Sequence, residues 1–166
     1  MSTGPRTLIL MRHGKSGYPS GVADHERPLA DRGRREAALA GEWIRSEDLQ
    51  VDAVLCSTAT RTRQTLERTG VSAPVTYLDE IYGGTPFDIF EAIRVYAPED
   101  ASTLLVVGHE PGMPQTALAL DPDGYIERFP TSAYAVVSVG LDWDRLGLEA
   151  DPEAELLGVR VPRGEA

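Results

Sequence analysis

An apolar run that stops abruptly at an Arg-His-Gly triplet constrains this chain more than any other feature. The run Leu8-Ile9-Leu10-Met11 is followed at once by Arg12-His13-Gly14-Lys15-Ser16. A short run rich in Leu and Ile is typical of a buried strand. Gly14 allows a sharp turn directly after it, because glycine has no Cβ. In open α/β sheets ligands bind beyond the carboxyl ends of the strands, so the sequence predicts that His13 stands at a ligand-binding edge.

Strand-like and helix-like segments alternate along the rest of the chain, which predicts an α/β fold with a mostly parallel central sheet. Ser57-Thr58 is a predicted cap for the second helix, and Thr85-Pro86-Phe87-Asp88 has the composition of the start of the third. The predicted strands are residues 7–11, 51–56, 75–78, 103–107, 133–141 and 156–161, and the predicted helices are residues 31–47, 59–69, 86–97 and 111–120.

A second strand end repeats the pattern of the first. The run Thr103 to Val107 leads directly into Gly108-His109-Glu110-Pro111-Gly112. Arg61 falls in the first turn of the helix that follows another strand, where backbone N–H groups and the helix dipole favour an anion. If these strands are parallel, His13, His109 and Arg61 converge on one edge of the sheet.

This set of side chains suits the transfer of a phosphoryl group, which depends mostly on positioning and on stabilising charge. Arg12 and Arg61 can offer planar, bidentate donors to phosphoryl oxygens, and His109 and Lys15 can add further positive or polar contacts. We expect His13 to be the nucleophile, with one ring nitrogen neutral and the other donating to an acceptor that fixes the tautomer. His25, in a charged part of the loop after the first strand, is interpreted as a solvated residue.

Composition limits the other classes of function. The chain has 166 residues, a formal net charge of -10 and a pI near 4.7, which argues against nucleic acid and membrane surfaces as partners. The single cysteine, Cys56, excludes an intrachain disulfide and favours a cytoplasmic location. We find no signal peptide and no apolar stretch long enough to cross a bilayer. The length predicts one domain over residues 1–166, with residues 1–6 and 163–166 flexible.

The motifs together resemble the histidine phosphatase superfamily, which has the phosphoglycerate mutase-like fold. The resemblance covers most of the chain, from about Thr7 to Leu120, and within the superfamily it is to the SixA-type phosphohistidine phosphatase branch. The residues that carry it are Arg12-His13-Gly14-Lys15-Ser16, Asp24-His25-Glu26-Arg27-Pro28-Leu29, Arg32-Gly33, Ser57 through Arg61 with Thr65, and Gly108-His109.

The resemblance implies a three-layer α/β/α sandwich and a phosphoryl group carried transiently by His13. Arg12, Arg61 and His109 would form the phosphate pocket, with Lys15 and Ser16 as further substrate-binding candidates. No metal and no organic cofactor is expected. Inorganic phosphate would be the product.

The roles of two acidic residues, Glu80 and Glu110, do not follow directly from the resemblance. Glu80, in Leu78-Asp79-Glu80, stands where mutase-like members carry a catalytic glutamate, so it is our candidate general acid. The alternative is that Asp79 and Glu80 form a solvated turn. Glu110 follows His109 where asparagine is common in SixA-like proteins, and it adds an acid beside the predicted pocket.

Three functions are compatible with these residues. The first is hydrolysis of phosphohistidine in a protein, favoured because a short chain with few insertions would have an open site. The second is hydrolysis of a small phosphomonoester with Glu80 as acid, with a mutase reaction ranked below it. The third is a non-catalytic module that binds phosphate, whose marker would be the loss of His13, Arg12, Arg61 or His109.

Overall fold

A central six-stranded sheet organises the computed structural model, which describes residues 5–163. The strand order is β3-β2-β4-β1-β5-β6. β3, β2, β4 and β1 run parallel to one another, whereas β5 is antiparallel to both β1 and β6. The strands are β1 (Arg6–Arg12), β2 (Ala53–Ser57), β3 (Val75–Leu78), β4 (Thr103–Gly108), β5 (Tyr134–Val139) and β6 (Glu155–Arg160).

Four helices cover the two faces of this sheet. Single 3-10 turns lie at Asp24–Glu26, Asp79–Ile81 and Trp143–Arg145. The helices are α1 (Asp31–Ser46), α2 (Thr60–Thr69), α3 (Pro86–Tyr96) and α4 (Gly112–Leu120). The predicted α/β/α sandwich with a mostly parallel sheet is therefore confirmed.

The central strands separate two apolar cores, because successive side chains of a strand point to opposite faces. Leu8 and Leu10 of β1 belong to the core that includes residues of α3 and α4. Ile9 and Met11 belong to the core that includes residues of α1 and α2. All four are fully buried, so the run that reads as continuously apolar in the sequence is buried on both sides.

Close backbone packing brings α1 against α2. A Cβ at Gly41 would overlap the carbonyl oxygen of Thr69, the last residue of α2. Arg45, one turn further along α1, donates to that same carbonyl at 2.8 Å. This contact holds α2 on its face of the sheet and so fixes the helix that carries Arg61.

The predicted helix starts are right in one case and wrong in another. Thr85 caps α3 through a reciprocal capping box with Asp88, as the sequence indicates. The predicted Ser57-Thr58 cap of α2 is wrong: the helix begins at Thr60, and no side chain caps it. The Ser57 and Thr58 hydroxyls are instead bonded to His109 and His25.

Two further sequence predictions concern the chain ends and the membrane. Arg6 was expected in a flexible end, but it begins β1, is 3% exposed and pairs with Asp142 at 2.7 Å. Residues 1–4 and 164–166 lie outside the described part of the chain, and Arg163 pairs with Glu36. None of the helices in residues 5–163 is long and apolar enough to span a membrane.

Candidate active site

The two strand-end histidines lie side by side. β1 and β4 are adjacent and parallel, and their register pairs Arg12 with Gly108. His13 and His109, one residue further along each strand, therefore leave the sheet at the same level. Their ring centroids are 5.4 Å apart, and each residue is 8% exposed. The structure thus brings together the two histidines that the sequence predicts to converge.

His13 is held in one tautomer. Its Nδ1 lies 2.7 Å from the carbonyl oxygen of Gly14. A carbonyl can only accept, so Nδ1 carries the hydrogen and Nε2 keeps its lone pair. Arg61 donates from Nε to this Nε2 at 3.3 Å. The ring therefore presents an unprotonated nitrogen beside a guanidinium.

Burial keeps this ring neutral. Burial lowers the pKa of His13 to about 3. The bond to the Gly14 carbonyl raises this pKa, whereas the neighbouring His109 and the charges of Arg61 and Arg12 lower it further. A histidine that is neutral at physiological pH and unprotonated at Nε2 meets the basic requirement of a nucleophile.

Arg61 reaches the site from the first turn of α2, as predicted. It is 6% exposed. One turn later, Thr65 donates to the Arg61 carbonyl at 2.7 Å and accepts from the Gly14 N–H at 2.8 Å. Thr65 therefore ties the start of α2 to the turn that follows His13.

The guanidinium of Arg61 is bound on its other side by Asp24, a contact that the sequence did not predict. Nη1 donates to the Asp24 carbonyl at 2.7 Å, and Nη2 donates to Asp24 Oδ2 at 3.2 Å. The Tyr82 hydroxyl donates to the same Oδ2 at 2.5 Å. This bond, with those from Arg27 and Arg61, holds the pKa of Asp24 well below its usual range.

Arg12 is half-buried at the end of β1. Its Nη1 donates to the carbonyl of Phe129 at 3.0 Å, and its buried Nε has no hydrogen-bond partner among the described residues. Burial lowers the pKa of Arg12, and the charge of Glu110 raises it. The positive charge of Arg12 acts on His13, which makes Arg12 suitable for binding an anion there, while Glu110 is exposed and acts on Arg12 through charge.

His109 is oriented by Ser57, the last residue of β2. Its Nε2 lies 2.8 Å from the Ser57 hydroxyl. Ser57 Oγ also accepts from the N–H of Ala59 at 3.3 Å, which fixes the hydroxyl beside His109. Burial lowers the pKa of His109 to about 4, Arg61 adds to the effect, and Asp24 opposes it.

The remaining predicted site residues are Lys15, Ser16 and Glu80. The Ser16 hydroxyl is buried and accepts from Arg27 at 2.7 Å, within the loop between β1 and α1. Lys15 and Glu80 are exposed. Within residues 5–163, no hydrogen bond joins the side chain of Lys15, Ser16 or Glu80 to the histidine pair or to Arg61.

His25 and Tyr82 border the cluster, although the sequence interpretation placed His25 in solvent. The rings of Tyr82 and His109 meet edge to face at 5.4 Å, and those of Tyr82 and His25 do so at 4.9 Å. His25 Nε2 lies 2.9 Å from the Thr58 hydroxyl. In the sequence, only the charged stretch around Asp24 pointed to these residues as neighbours of the histidines. Nothing in the sequence pointed to Tyr82.

In the described part of the chain no three His, Cys, Asp or Glu side chains are grouped so that they could hold a metal ion. Cys56 is buried, and burial raises its pKa to about 12, which disfavours the thiolate that a nucleophile needs.

Comparison with known proteins agrees with this geometry. The family model of the histidine phosphatase superfamily (branch 1) matches residues 8–82. An uncharacterized protein of Mycobacterium tuberculosis is 48% identical over 92% of this chain and 100% of its own length. The solved structure of a proposed phosphohistidine phosphatase SixA from Nakamurella multipartitia has a TM-score of 0.88 and 42% identity, covering 97% of this chain and 98% of its own. The phosphohistidine phosphatase SixA of Escherichia coli is 27% identical over 80% of this chain and 84% of its own length.

Proposed function

The chain belongs to the histidine phosphatase superfamily and is a phosphatase, and from this we propose that it hydrolyses phosphohistidine in a protein, through a covalent intermediate on His13. One observation carries the proposal most directly. His13 Nε2 is unprotonated and accepts from the Arg61 Nε–H at 3.3 Å, while Nδ1 is bonded to a backbone carbonyl. This is the arrangement needed for attack on an anionic phosphorus centre.

The proposed reaction has two steps. In the first, the lone pair of His13 Nε2 forms a bond to phosphorus. The bond between phosphorus and the substrate imidazole breaks, and its electron pair leaves on the substrate nitrogen, which takes up a proton from water. In the second, water attacks phosphorus, the bond to His13 Nε2 breaks, and the water proton is released as inorganic phosphate leaves.

The surrounding residues have distinct roles in these steps. Phosphorylation places positive charge on the His13 ring, and the bond from Nδ1 to the Gly14 carbonyl stabilises that charge. Arg12 and Arg61 supply N–H donors to the phosphoryl oxygens. His109, whose Nε2 is bonded to the Ser57 hydroxyl, has Nδ1 left for contact with the same group.

The leaving group favours phosphohistidine over a phosphate ester. An imidazole departs more readily than an alkoxide, so it needs less help from a general acid. The exposed Glu80 makes no hydrogen bond into the histidine cluster within the described residues. Relatives named phosphohistidine phosphatase support the same choice. Hydrolysis of small phosphomonoesters with Glu80 as acid is the alternative.

We test the function by incubating the protein with a phosphohistidine protein, a phosphohistidine peptide and a panel of phosphomonoesters, beside the variant His13→Ala. The proposal expects release of phosphate from phosphohistidine by the wild type only. Turnover confined to small esters, and lost in Glu80→Gln, would favour the alternative. Phosphate binding without turnover of any substrate would indicate a non-catalytic binding module.

The remaining parts of the proposal concern partners and location. A phosphorylated protein is the proposed substrate, and we propose that the enzyme meets it in the cytoplasm, since its one cysteine is buried and unpaired. Fractionation of cells, followed by detection of the protein in each fraction, tests the location.

A further inference from the structure

Asp24 binds the end of the Arg61 guanidinium that points away from His13. The backbone carbonyl of Asp24 accepts from Nη1 at 2.7 Å, and its carboxylate accepts from Nη2 at 3.2 Å. The third nitrogen, Nε, faces His13 Nε2 at 3.3 Å. One loop residue therefore contacts both terminal nitrogens of the arginine that faces the predicted nucleophile.

The planar guanidinium has five N–H donors in a fixed arrangement. The two terminal nitrogens form one fork, and Asp24 occupies it. The edge formed by Nε and Nη2 faces the histidine, and its Nε–H donates to His13 Nε2. A phosphoryl group on His13 would therefore meet a bidentate edge whose orientation is set from the opposite side.

We propose that Asp24 is a positioning residue, which holds Arg61 so that its Nε edge faces the phosphoryl group transferred to His13. The proposal rests on the proposed function, since it names the residue that aligns the same site. It differs from a competing role in which the carboxylate occupies Arg61 in place of phosphate. In that case Asp24 would have to leave before substrate binds.

Asp24 is itself fixed by groups other than Arg61, which favours positioning over competition. Its Oδ2 accepts from the Tyr82 hydroxyl at 2.5 Å, and its Oδ1 accepts from Arg27 Nε at 3.0 Å. Arg27 also donates to the buried Ser16 hydroxyl, and its side chain is 12% exposed. The Asp24 side chain is 55% exposed, so these bonds rather than burial fix its position.

The test compares Asp24→Ala and Asp24→Asn with the wild type in kcat, KM and the affinity for inorganic phosphate measured by calorimetry. Misplacement of a reacting group by about 1 Å can cost 10²-fold in rate. We expect kcat of Asp24→Ala to fall by about 10-fold to 10²-fold and phosphate affinity to weaken. Asp24→Asn keeps an oxygen acceptor, so its kcat should lie between the two.

Two controls separate positioning from folding and from charge. Asp31→Ala removes another carboxylate from the same loop-helix region, one that pairs with Arg34 on the surface, and should leave kcat unchanged. The ¹⁵N NMR signal of Arg61 Nε–H should be sharp in the wild type and broadened in Asp24→Ala. If Asp24 had a purely structural role, Asp24→Ala would lower the melting temperature without a selective change in the Arg61 Nε–H signal.

Tighter phosphate binding or faster turnover in Asp24→Ala would overturn the proposal in favour of competition, and an unchanged kcat would overturn it outright. If the wild type turns over no substrate, the proposed function fails. Phosphate affinity and the Arg61 signal then still decide whether Asp24 positions the guanidinium.

Discussion

His13 and His109 leave adjacent parallel strands from paired positions, and their ring centroids lie 5.4 Å apart. Burial and the positive charge of Arg61 favour the neutral form of both rings. Burial lowers the pKa of His13 to about 3 and that of His109 to about 4. The site therefore keeps the nucleophile unprotonated at neutral pH. In acid, protonation of either ring opposes folding.

Acidification should destabilise the protein through these two histidines. An unfolded histidine binds a proton near pH 6.5, whereas the folded rings resist it down to about pH 4 or 3. The stabilisation is thus present above pH 6.5 and is lost as pH falls, by about 1.4 kcal/mol per pH unit for each ring. Urea unfolding between pH 6.5 and 4.5 should show a shallower dependence in His109→Gln than in the wild type. Equal slopes would contradict the assigned neutrality.

Thr65 should matter because its hydroxyl is the partner of the buried Gly14 N–H. Thr65→Val keeps the shape of the side chain but leaves that donor unpaired, at a cost of about 1–3 kcal/mol in the free energy of unfolding. We also expect kcat to fall, since Gly14 carries the carbonyl that fixes His13. Thr65→Ser retains the hydroxyl and is the matched control. If Thr65→Val and Thr65→Ser have the same free energy of unfolding in urea and the same kcat, the bond from the Gly14 N–H to Thr65 supports neither stability nor turnover.

Gly33 should tolerate no side chain, because the first turn of α1 packs on the backbone of Lys15. A Cβ at Gly33 would overlap the Lys15 carbonyl oxygen and lie 2.8 Å from its nitrogen. Gly33→Ala should therefore lower the free energy of unfolding by about 1–3 kcal/mol or more, although Ala is the better helix former. Thermal unfolding measures the loss.

Gly17→Ala is the comparison for that experiment. Its Cβ would meet only Pro19 Cδ, at the ordinary distance of 3.9 Å. We expect its melting temperature to stay close to that of the wild type. A similar loss in both variants would mean that the loop responds to any added side chain rather than to the Lys15 contact.

The sequence predicted the parts of the site that depend on local pattern. Buried apolar runs located β1 and β4, and a helix start after β2 located Arg61, so His13 and His109 follow from strand ends and Arg61 from a helix start. Asp24 and Tyr82 could not be found in this way. Asp24 contacts Arg61, 37 residues away in the sequence, and Tyr82, 58 residues away. Both contacts depend on the fold of the long loop after β1, which has little periodicity.

Tertiary contacts also explain the wrong cap. Ser57 and Thr58 have the residue types of an N-cap, but their hydroxyls bond His109 and His25. These tertiary bonds replace the local cap, and α2 begins at Thr60, one residue later than predicted. The ends of β3 are as predicted, and the other strand ends lie within two residues of the predicted ones, because backbone pairing rather than side-chain type sets them.

The most direct test of the account is to trap the phosphorylated enzyme. Rapid quenching at alkaline pH during turnover of a phosphohistidine protein, followed by peptide mass spectrometry, should locate an acid-labile phosphoryl group on the peptide that contains His13. His13→Asn should form no adduct and release no phosphate. Turnover that persists in His13→Asn, or an adduct on another residue, would contradict the assignment of His13 as the nucleophile.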